Sequence, residues 1–366
     1  MLRFTTTARA GRAVFAATDI DAGTSLLTEE PLLSMPLPES RQDVAACERC
    51  CKPLGTVATQ FAHLVTDLAP LPELPMDEED ATFSDDVACH KKCCGVRYCS
   101  VTCLEKHAAA HCHLCRGHST AAAKAVERFE THALETHECF LFGAKLVADL
   151  MAGRTEAHDD LCRILWWKIS DEGMHKTARD EAQARRDADA SRKLLLALLA
   201  ATGSKPADVA WLTLDAWGGL LGAARRNAIC VQLSHPLSEF VPALSEWLGA
   251  SASAKEAKAL GPYLSALPSP LPEPLWTAVY PSISCLNHQC RPNCEVRFLC
   301  EDHQGTVVAT RRIKKGDELC ISYIDDNERS DYKKRRASLR DYGFECDCSK
   351  CESEAGWARR LRPRLD

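Results

Sequence analysis

The chain has no excess of positive charge: 45 lysines and arginines stand against 51 acids, for a net charge of -6. Nucleic-acid binders present a basic face, so this balance argues against a phosphate-binding surface. Mild acidity is compatible with a basic peptide as substrate. Long apolar runs are missing too. The longest leucine-rich stretch, Leu194 to Ala201, is far short of the roughly 20 residues that a membrane helix requires. There is no glycine-rich Rossmann loop and no repeat of solenoid period. Proline is all but absent from Ala121 to Ala200, where alanine, leucine and charge dominate, and this predicts several helices. No acid precedes Asp19, while Arg3, Arg9 and Arg12 sit among threonines, a transit-peptide composition. Gly11 to Gly23 already reads as folded structure, however, so no cleaved signal is expected.

What the chain has in abundance is cysteine, 21 in 366 residues. That length holds two or three domains and a substantial core. The cysteines cluster as C-x2-C, C-x3-C and C-x-C beside histidines, which points to metal sites rather than disulfides. Such thiols must stay reduced, so the expected compartment is cytoplasmic or nuclear. Near the C-terminus, Cys346, Cys348 and Cys351 supply three thiolates. A closed structural zinc needs four ligands. Cys290, after Asn287-His288 and before Arg291-Pro292-Asn293-Cys294, is the candidate fourth, and it would pin the tail beside the Asn-His pair. In the middle of the chain, Cys93, Cys99, Cys103, His111 and Cys115 form C-x5-C-x3-C-x7-H-x3-C, preceded by Cys47 and Cys50.

Strand signals lie at the two ends. Residues 13 to 33 predict two short strands around the turn Ile20-Asp21-Ala22-Gly23. The same phrase recurs as Ile313-Lys314-Lys315-Gly316, so one sheet system interrupted by insertions is expected. Leu68 to Asp86, with three prolines and a run of acids, predicts a loop. Lys176 to Arg192 predicts a solvated helix face. Gly261 to Pro274, with five prolines, predicts a linker or ordered loop.

Three motifs in order carry a resemblance: Asn287-His288-x-Cys290-x-Pro292-Asn293-Cys294, Gly316-Asp317-Glu318-Leu319-x-Ile321-Ser322-Tyr323-Ile324-Asp325, and Tyr342-x-Phe344-x-Cys346-x-Cys348-x2-Cys351. Together they resemble the C-terminal half of SET-domain protein lysine methyltransferases. Val279-Tyr280-Pro281-Ser282-Ile283-Ser284 resembles the SET-and-MYND subfamily in particular, and the middle cluster resembles a MYND zinc finger. The resemblance implies an α+β fold: a mostly β SET core, interrupted by a MYND zinc finger and a helical insertion, with a zinc-bound cysteine-rich post-SET tail. The implied domains are 1–46 (N-terminal part of the SET domain), 47–115 (finger), 116–226 (helical insertion), 227–325 (SET core) and 326–356 (post-SET segment). Many members carry a further helical C-terminal domain; here 15 residues follow Cys351, which implies a more open substrate cleft.

Carried over residue by residue, the finger pattern gives one zinc to Cys47, Cys50, Cys99 and Cys103. His111 and Cys115 take a second zinc with a central pair. The family has C-x2-C there, whereas this chain offers Cys89-His90-Lys91-Lys92-Cys93-Cys94. Cys89 with Cys93 is the pair assigned; His90 with Cys93 also serves, and Cys94 is a further choice. With the tail, this makes about three zincs per chain, all in closed and therefore structural sites.

The resemblance also assigns a methyl-donor site for S-adenosyl-L-methionine. Asn287 and His288 hold the donor, Tyr323 and Tyr342 flank the methyl group as catalytic residues, and Phe344 stacks on adenine. Ser284 and Asn227, the latter within Arg225-Arg226-Asn227-Ala228-Ile229, add contacts. The opening motif Gly11-Arg12-Ala13 lines the donor with backbone, Ala13 standing where a second glycine is usual. Each residue also has an ordinary reading: Tyr323 as a core-edge tyrosine with a satisfied hydroxyl, Phe344 as core packing, Asn287-His288 as a turn. Their coincidence within one zinc-pinned arrangement favours an enzyme acting on a lysine-containing protein. The rival is a non-catalytic adaptor whose finger binds proline-containing peptides. An inert core would be expected to have lost one of the tyrosines or the Asn-His pair. Neither nucleic acid nor membrane is an expected partner.

Overall fold

The computed structural model describes residues 1–7, 11–65, 72, 86–90, 94–154, 161, 165–169, 178–340, 342 and 344–360. The chain starts with β1 (Leu2–Thr7), β2 (Gly11–Ala16), β3 (Ser25–Glu29) and β4 (Leu33–Pro36). Then come α1 (Ser40–Asp43), α2 (Val57–Leu64), the short pair β5 (Val87–Ala88) and β6 (Arg97–Tyr98), and α3 (Val101–His111). A helical stretch follows: α4 (Thr120–Glu135), α5 (Cys139–Met151), α6 (Trp166–Ile169), α7 (Ala178–Ala201) and α8 (Leu214–Asn227). After β7 (Ala228–Gln232) come α9 (Phe240–Ala250) and α10 (Ala254–Ala266), then β8 (Leu275–Val279), β9 (Asn287–His288), β10 (Cys294–Arg297), β11 (Gly305–Ala309) and β12 (Cys320–Ile321). The tail holds α11 (Asp326–Ser330), α12 (Tyr332–Arg340) and α13 (Ser349–Arg360). No described helix is long and apolar enough to cross a membrane.

The sheets join the two ends of the chain. One has the order β4-β8-β7 and another β10-β11-β3, antiparallel throughout. The two I-x-x-G phrases meet each other: Ile20 and Ile313 exchange backbone hydrogen bonds of 2.8 and 2.9 Å. Both isoleucines are buried. Gly23 and Gly316 close their turns at φ of 82° and 91°, a region that only glycine enters freely. Between the sheets lies an apolar core that includes Val14, Ile20, Trp276, Tyr280, Leu286, Val307 and Ile313. Residues separated by nearly 300 positions thus share one interior, and the cysteine-rich and helical segments are inserted between strands that build it.

The helical layer packs on its own core. Along α7 the buried positions are Ala184, Ala188, Ser191, Leu195, Leu198 and Leu199. This three-and-four spacing is an inward stripe. The charges from Asp180 to Arg192 therefore occupy the remaining faces, the side chains of Lys176 and Arg179 lying outside the described ones; Arg185 lies over the Trp167 ring at 4.8 Å. Small residues let α5 and α8 approach. A Cβ on Gly143 would meet Trp217 and Leu221 at 2.8 Å, and one on Gly218 would meet Trp167 at 2.5 Å. A second apolar cluster, with Leu33, Met35, Phe142, Leu146, Ala223 and Val279, welds this layer to the sheet.

The proline-rich segment differs from the loop expected of it. Gly261 and Pro262 lie inside α10, which starts at a Ser253/Glu256 capping box and buries Leu260 against Leu237 and Phe61. The first-turn cap and this apolar contact outweigh the local cost of Pro262. Only the stretch from Leu267 onward is irregular. The predicted loop Leu68–Asp86 lies outside the described residues apart from Pro72 and Asp86.

Candidate functional site

Local turns bring the finger cysteines together. Cys47 and Cys50 sit on a tight turn in which the Cys51 amide donates to the Cys47 carbonyl at 3.1 Å and Cys51 adopts φ 69°. Ser100 caps α3, its hydroxyl accepting from the Cys103 amide at 3.1 Å, so Cys99 and Cys103 flank the cap on one side. Such a cap stabilises a helix by about 1 kcal/mol. His111 ends the same helix, and the buried Tyr98 hydroxyl lies 3.0 Å from His107 Nδ1 to hold the helix on β6. An ion pair between Lys145 and Glu48 ties the finger to α5.

Three tetrads result: Cys47, Cys50, Cys99 and Cys103; Cys89, Cys94, His111 and Cys115; and Cys290, Cys346, Cys348 and Cys351. Within each, the ligand atoms lie within 4.8 Å of one another. Zinc–sulfur bonds of about 2.3 Å in a tetrahedron put sulfurs about 3.8 Å apart. The pairs Cys50–Cys99 and Cys99–Cys103, both 3.4 Å, and Cys290–Cys351, 3.5 Å, suit that geometry. In the middle tetrad the central pair is Cys89 with Cys94. Cys93, assigned to it from the sequence, lies outside the described residues, and His90 is not a member of the tetrad.

The thiols of the tail tetrad cannot all ionise unaided. Burial raises Cys290, and it lifts Cys346 to about 12. Burial opposes the Cys348 thiolate too, but backbone amides of Cys351 and Cys290 outweigh it and bring that group to about 7. A divalent cation is what would stabilise the remaining thiolates.

Beside this tetrad, β9 and β12 run parallel, with Asn287 opposite Cys320 and His288 opposite Ile321. Asn293 staples the pair, its Nδ2 donating to the Glu318 carbonyl and its Oδ1 accepting from the Cys320 amide, both at 2.8 Å. Asn287 Nδ2 donates to the Arg12 carbonyl at 3.0 Å and to Glu318 Oε1 at 2.8 Å. His288 Nδ1 accepts the Tyr323 amide at 3.0 Å, which leaves the proton on Nε2, 3.4 Å from Cys290 Sγ. Burial, aided by Arg329 and Arg335, depresses His288 to about 4 and keeps it neutral. The histidine thus links the strand pair to the tail tetrad.

Arg12 spans the site: its guanidinium donates to Asn227 Oδ1 at 2.8 Å, and the Ser284 hydroxyl donates to the Asn227 carbonyl at 3.1 Å. Gly11 and Ala13 flank it on β2, Gly11 at φ 64° and Ala13 buried. Tyr323, Tyr342 and Phe344 converge: the tyrosine ring centres are 5.0 Å apart, and Phe344 stands 6.2 Å edge-on to Tyr323 and 6.1 Å from His288. Tyr323 donates its hydroxyl to the Leu286 carbonyl at 2.7 Å, and Tyr342 to the Tyr323 carbonyl at 2.9 Å. Burial raises the Tyr323 phenol, which therefore stays a neutral donor that keeps oxygen lone pairs. A cleft of about 720 Å³ opens on this group, bordered by Asn227, Ser284, Leu286, Tyr323 and Tyr342. Gly11, Arg12, Ala13, Asn287, His288 and Phe344 do not border it.

Two supporting residues have no recognisable signal in the sequence. Glu29, at the end of β3, accepts the amides of Ser282 at 3.0 Å and Ile283 at 3.0 Å and fixes the turn that carries Ser284. Glu318 reads in the sequence only as part of a strand entry, yet it anchors Asn287. Its position within Gly316-Asp317-Glu318-Leu319 is the one available clue.

Comparison with known proteins adds three findings. Residues 168–324 match the SET domain family model, a span that begins within the helical layer. The chain is 28% identical over 297 residues to histone-lysine N-methyltransferase ATXR2 of Arabidopsis thaliana, covering 72% of this chain and 62% of that protein. It is 25% identical over 386 residues to human protein-lysine N-trimethyltransferase SMYD5, covering 97% and 86%. Over 77 residues it is 46% identical to human histone-lysine N-methyltransferase SMYD3, covering 21% and 17%. The chain therefore spans less than two thirds of the plant relative and most of the SMYD5 protein.

Proposed function

We propose, from the SET domain match and the likeness to these relatives, that this chain is a protein-lysine N-methyltransferase of the SET-and-MYND family. In this reading it uses S-adenosyl-L-methionine and acts on lysine side chains of a histone or another protein. The observation that carries the reading is the convergence of Tyr323 and Tyr342 on backbone carbonyls beside Asn287-His288, at the mouth of a cleft.

The donor set suits such a cofactor. Asn287, Arg12, Asn227 and Ser284 offer amide, guanidinium and hydroxyl groups for a charged amino-acid end. Phe344, His288 and Tyr323 offer ring faces for a flat heteroaromatic end. Gly11 and Ala13 contribute backbone alone. When bound, S-adenosyl-L-methionine supplies an electrophilic methyl group on a sulfonium.

The chain's residues do the rest. An amine entering between the tyrosines meets four oxygens: the Tyr323 and Tyr342 hydroxyls and the Leu286 and Tyr323 carbonyls. They accept its N–H bonds and aim its lone pair. Partial burial of the site disfavours the ammonium form and so favours the neutral nucleophile. Positioning of this kind contributes up to about 7–11 kcal/mol in favourable systems. The tetrads have no open position, so zinc there is structural; the tail zinc would hold Tyr342 and Phe344 in place. Reduced thiols require a cytosolic or nuclear setting, and proline-containing peptides are the partners we assign to the finger.

The test is transfer of a labelled methyl group from S-adenosyl-L-methionine to a peptide or proteome array. Label on lysine-containing peptides, lost when lysine is replaced by arginine, is the expected result. A protein that binds the cofactor but labels nothing is an adaptor.

A further inference from the structure

The three tetrads differ in charge. Two hold four cysteines, and the third holds three cysteines and a histidine. A divalent zinc leaves four thiolates with two surplus negative charges but three thiolates and an imidazole with only one. Surplus charge out of water must find a partner nearby.

Arginines follow that difference. In the finger, Arg49 Nη1 donates to Cys103 Sγ at 3.9 Å while Nη2 pairs with Glu30 at 2.9 Å. In the tail, Arg335 is fully buried and pairs with Glu354, one helical turn beyond Cys351 on α13, and the Cys351 thiol contributes to raising its pKa. Arg335 Nη1 also donates to the Arg329 carbonyl at 2.8 Å, and its buried Nε has no partner. Among the described residues, no guanidinium is hydrogen-bonded to a thiol of the Cys89/Cys94/His111/Cys115 tetrad. Among those residues, then, the finger's four-cysteine tetrad has a glutamate-paired arginine hydrogen-bonded to a thiol, the tail tetrad has a fully buried arginine paired with Glu354 one turn from Cys351, and the mixed tetrad has neither.

We propose that Arg335 is the outer-sphere partner of the tail metal, offsetting surplus thiolate charge and positioning Tyr342, and that Arg49 does the charge-offsetting part at the first finger tetrad. The positional link is short. Arg335 lies on α12, whose Leu339 carbonyl accepts the Tyr342 amide at 3.1 Å. The Arg329 carbonyl accepts from both Arg335 and Lys350, so α11, α12 and the start of α13 converge at one point next to Cys351 of the tail tetrad. Without the arginine, the tetrad repels its own fourth thiolate and α12 loses its anchor. Partners of this kind alter metal affinity by about 10- to 100-fold.

The inference rests on the reading that the tail tetrad holds zinc, so the zinc content of the full-length wild-type chain is measured first. Release of zinc to an excess of chromogenic chelator is then followed for wild type, Arg335→Met and Arg335→Lys. The tail component is identified by its absence from Cys290→Ser. Methionine fills the volume without charge, and lysine keeps the charge without the planar fork. The expected result is tail-zinc release at least about tenfold faster in Arg335→Met and within about threefold of wild type in Arg335→Lys, with finger zinc unchanged. Wild-type release from Arg335→Met overturns the inference, as does a lysine variant as fast as the methionine one, which would mean packing rather than charge. If Arg335→Met does not fold, Arg49→Met, at a side chain 16% exposed, is tested at the finger in the same way. Wild-type release there overturns the inference. A wild-type chain without tail zinc overturns the zinc reading and the inference together; a zinc-loaded wild type with a silent methionine variant overturns the inference alone.

Discussion

Replacing Tyr342 by phenylalanine removes one oxygen and leaves the ring. In the resting structure that oxygen makes a 2.9 Å hydrogen bond to the Tyr323 carbonyl. A partly buried bond of this type contributes about 0.5–1.5 kcal/mol to stability. The ring keeps its 5.0 Å neighbour Tyr323, so folding should survive with a small loss. In the proposed reaction the hydroxyl would matter more during transfer, when the amine must be aimed and positive charge spreads onto the methyl group. An interaction made mainly there lowers turnover while leaving cofactor affinity nearly intact. Tyr342→Phe is therefore expected to slow transfer at least about tenfold, which corresponds to ~1.4 kcal/mol. Tyr323→Phe should slow it similarly. It should also loosen the cofactor, because the lost hydroxyl bonds the Leu286 carbonyl, directly before the Asn287-His288 pair. The assay is single-turnover methyl transfer to the best array-derived peptide, run beside calorimetric cofactor binding. If both variants react at the wild-type rate, the catalytic role given to these tyrosines is wrong. If rate and cofactor affinity fall by the same factor, the hydroxyls serve binding and not the transition state.

Cys290→Ser should release the tail, giving protease cleavage confined to residues after about 325 and weaker cofactor binding, with the finger zincs retained; unchanged tail protection would make Cys290 an ordinary buried thiol. Gly218→Ala drives a methyl to within 2.5 Å of the Trp167 ring, and should destabilise the helical layer by about 1–3 kcal/mol; a wild-type denaturation midpoint would refute the close packing of α6 on α8. His235 is buried, accepts the Leu237 amide at Nδ1 and faces the Asp43 carbonyl through Nε2, and burial lowers its pKa. The unfolded chain thus binds its proton first, so stability should be complete above about pH 6.5 and decline as pH falls below it. Melting curves of wild type and His235→Gln should then converge on acidification; parallel curves would exclude the effect.

Much of this site was legible in the chain because metal ligation and turn chemistry are local. C-x2-C, C-x3-C, H-x3-C and C-x-C-x2-C each lie within one turn or one helical step, so spacing marked metal sites and called for a fourth thiol in the tail, while the resemblance to a MYND finger grouped Cys47, Cys50, Cys99 and Cys103 apart from His111 and Cys115. The repeated I-x-x-G phrase announced two strand entries. It could not announce that Ile20 and Ile313 pair with each other, because strand partnership depends on what the intervening insertions allow. Local pattern also misled. Five prolines after Gly261 suggested a loop, yet a capping box at Ser253 and the burial of Leu260 carried α10 through Pro262. Between Cys89 and Cys94, neighbouring thiols one residue apart are indistinguishable by spacing, and only the fold put Cys94 beside His111.

The sequence by itself determined which thiols and imidazole stand at metal-ligand spacing and where the main strand and helix signals lie, since each depends on groups a few positions apart. Tertiary structure decided which distant groups share a site: Arg12 reaching Asn227, Glu29 holding the Ser282 turn, Glu318 anchoring Asn287, and Arg335 set against Cys351. Those contacts form only when insertions of many tens of residues fold out of the way and a common core closes the two ends of the chain. The loop-closure cost depends on chain length and not on any motif, and the partner is selected by shape and charge in the finished interior.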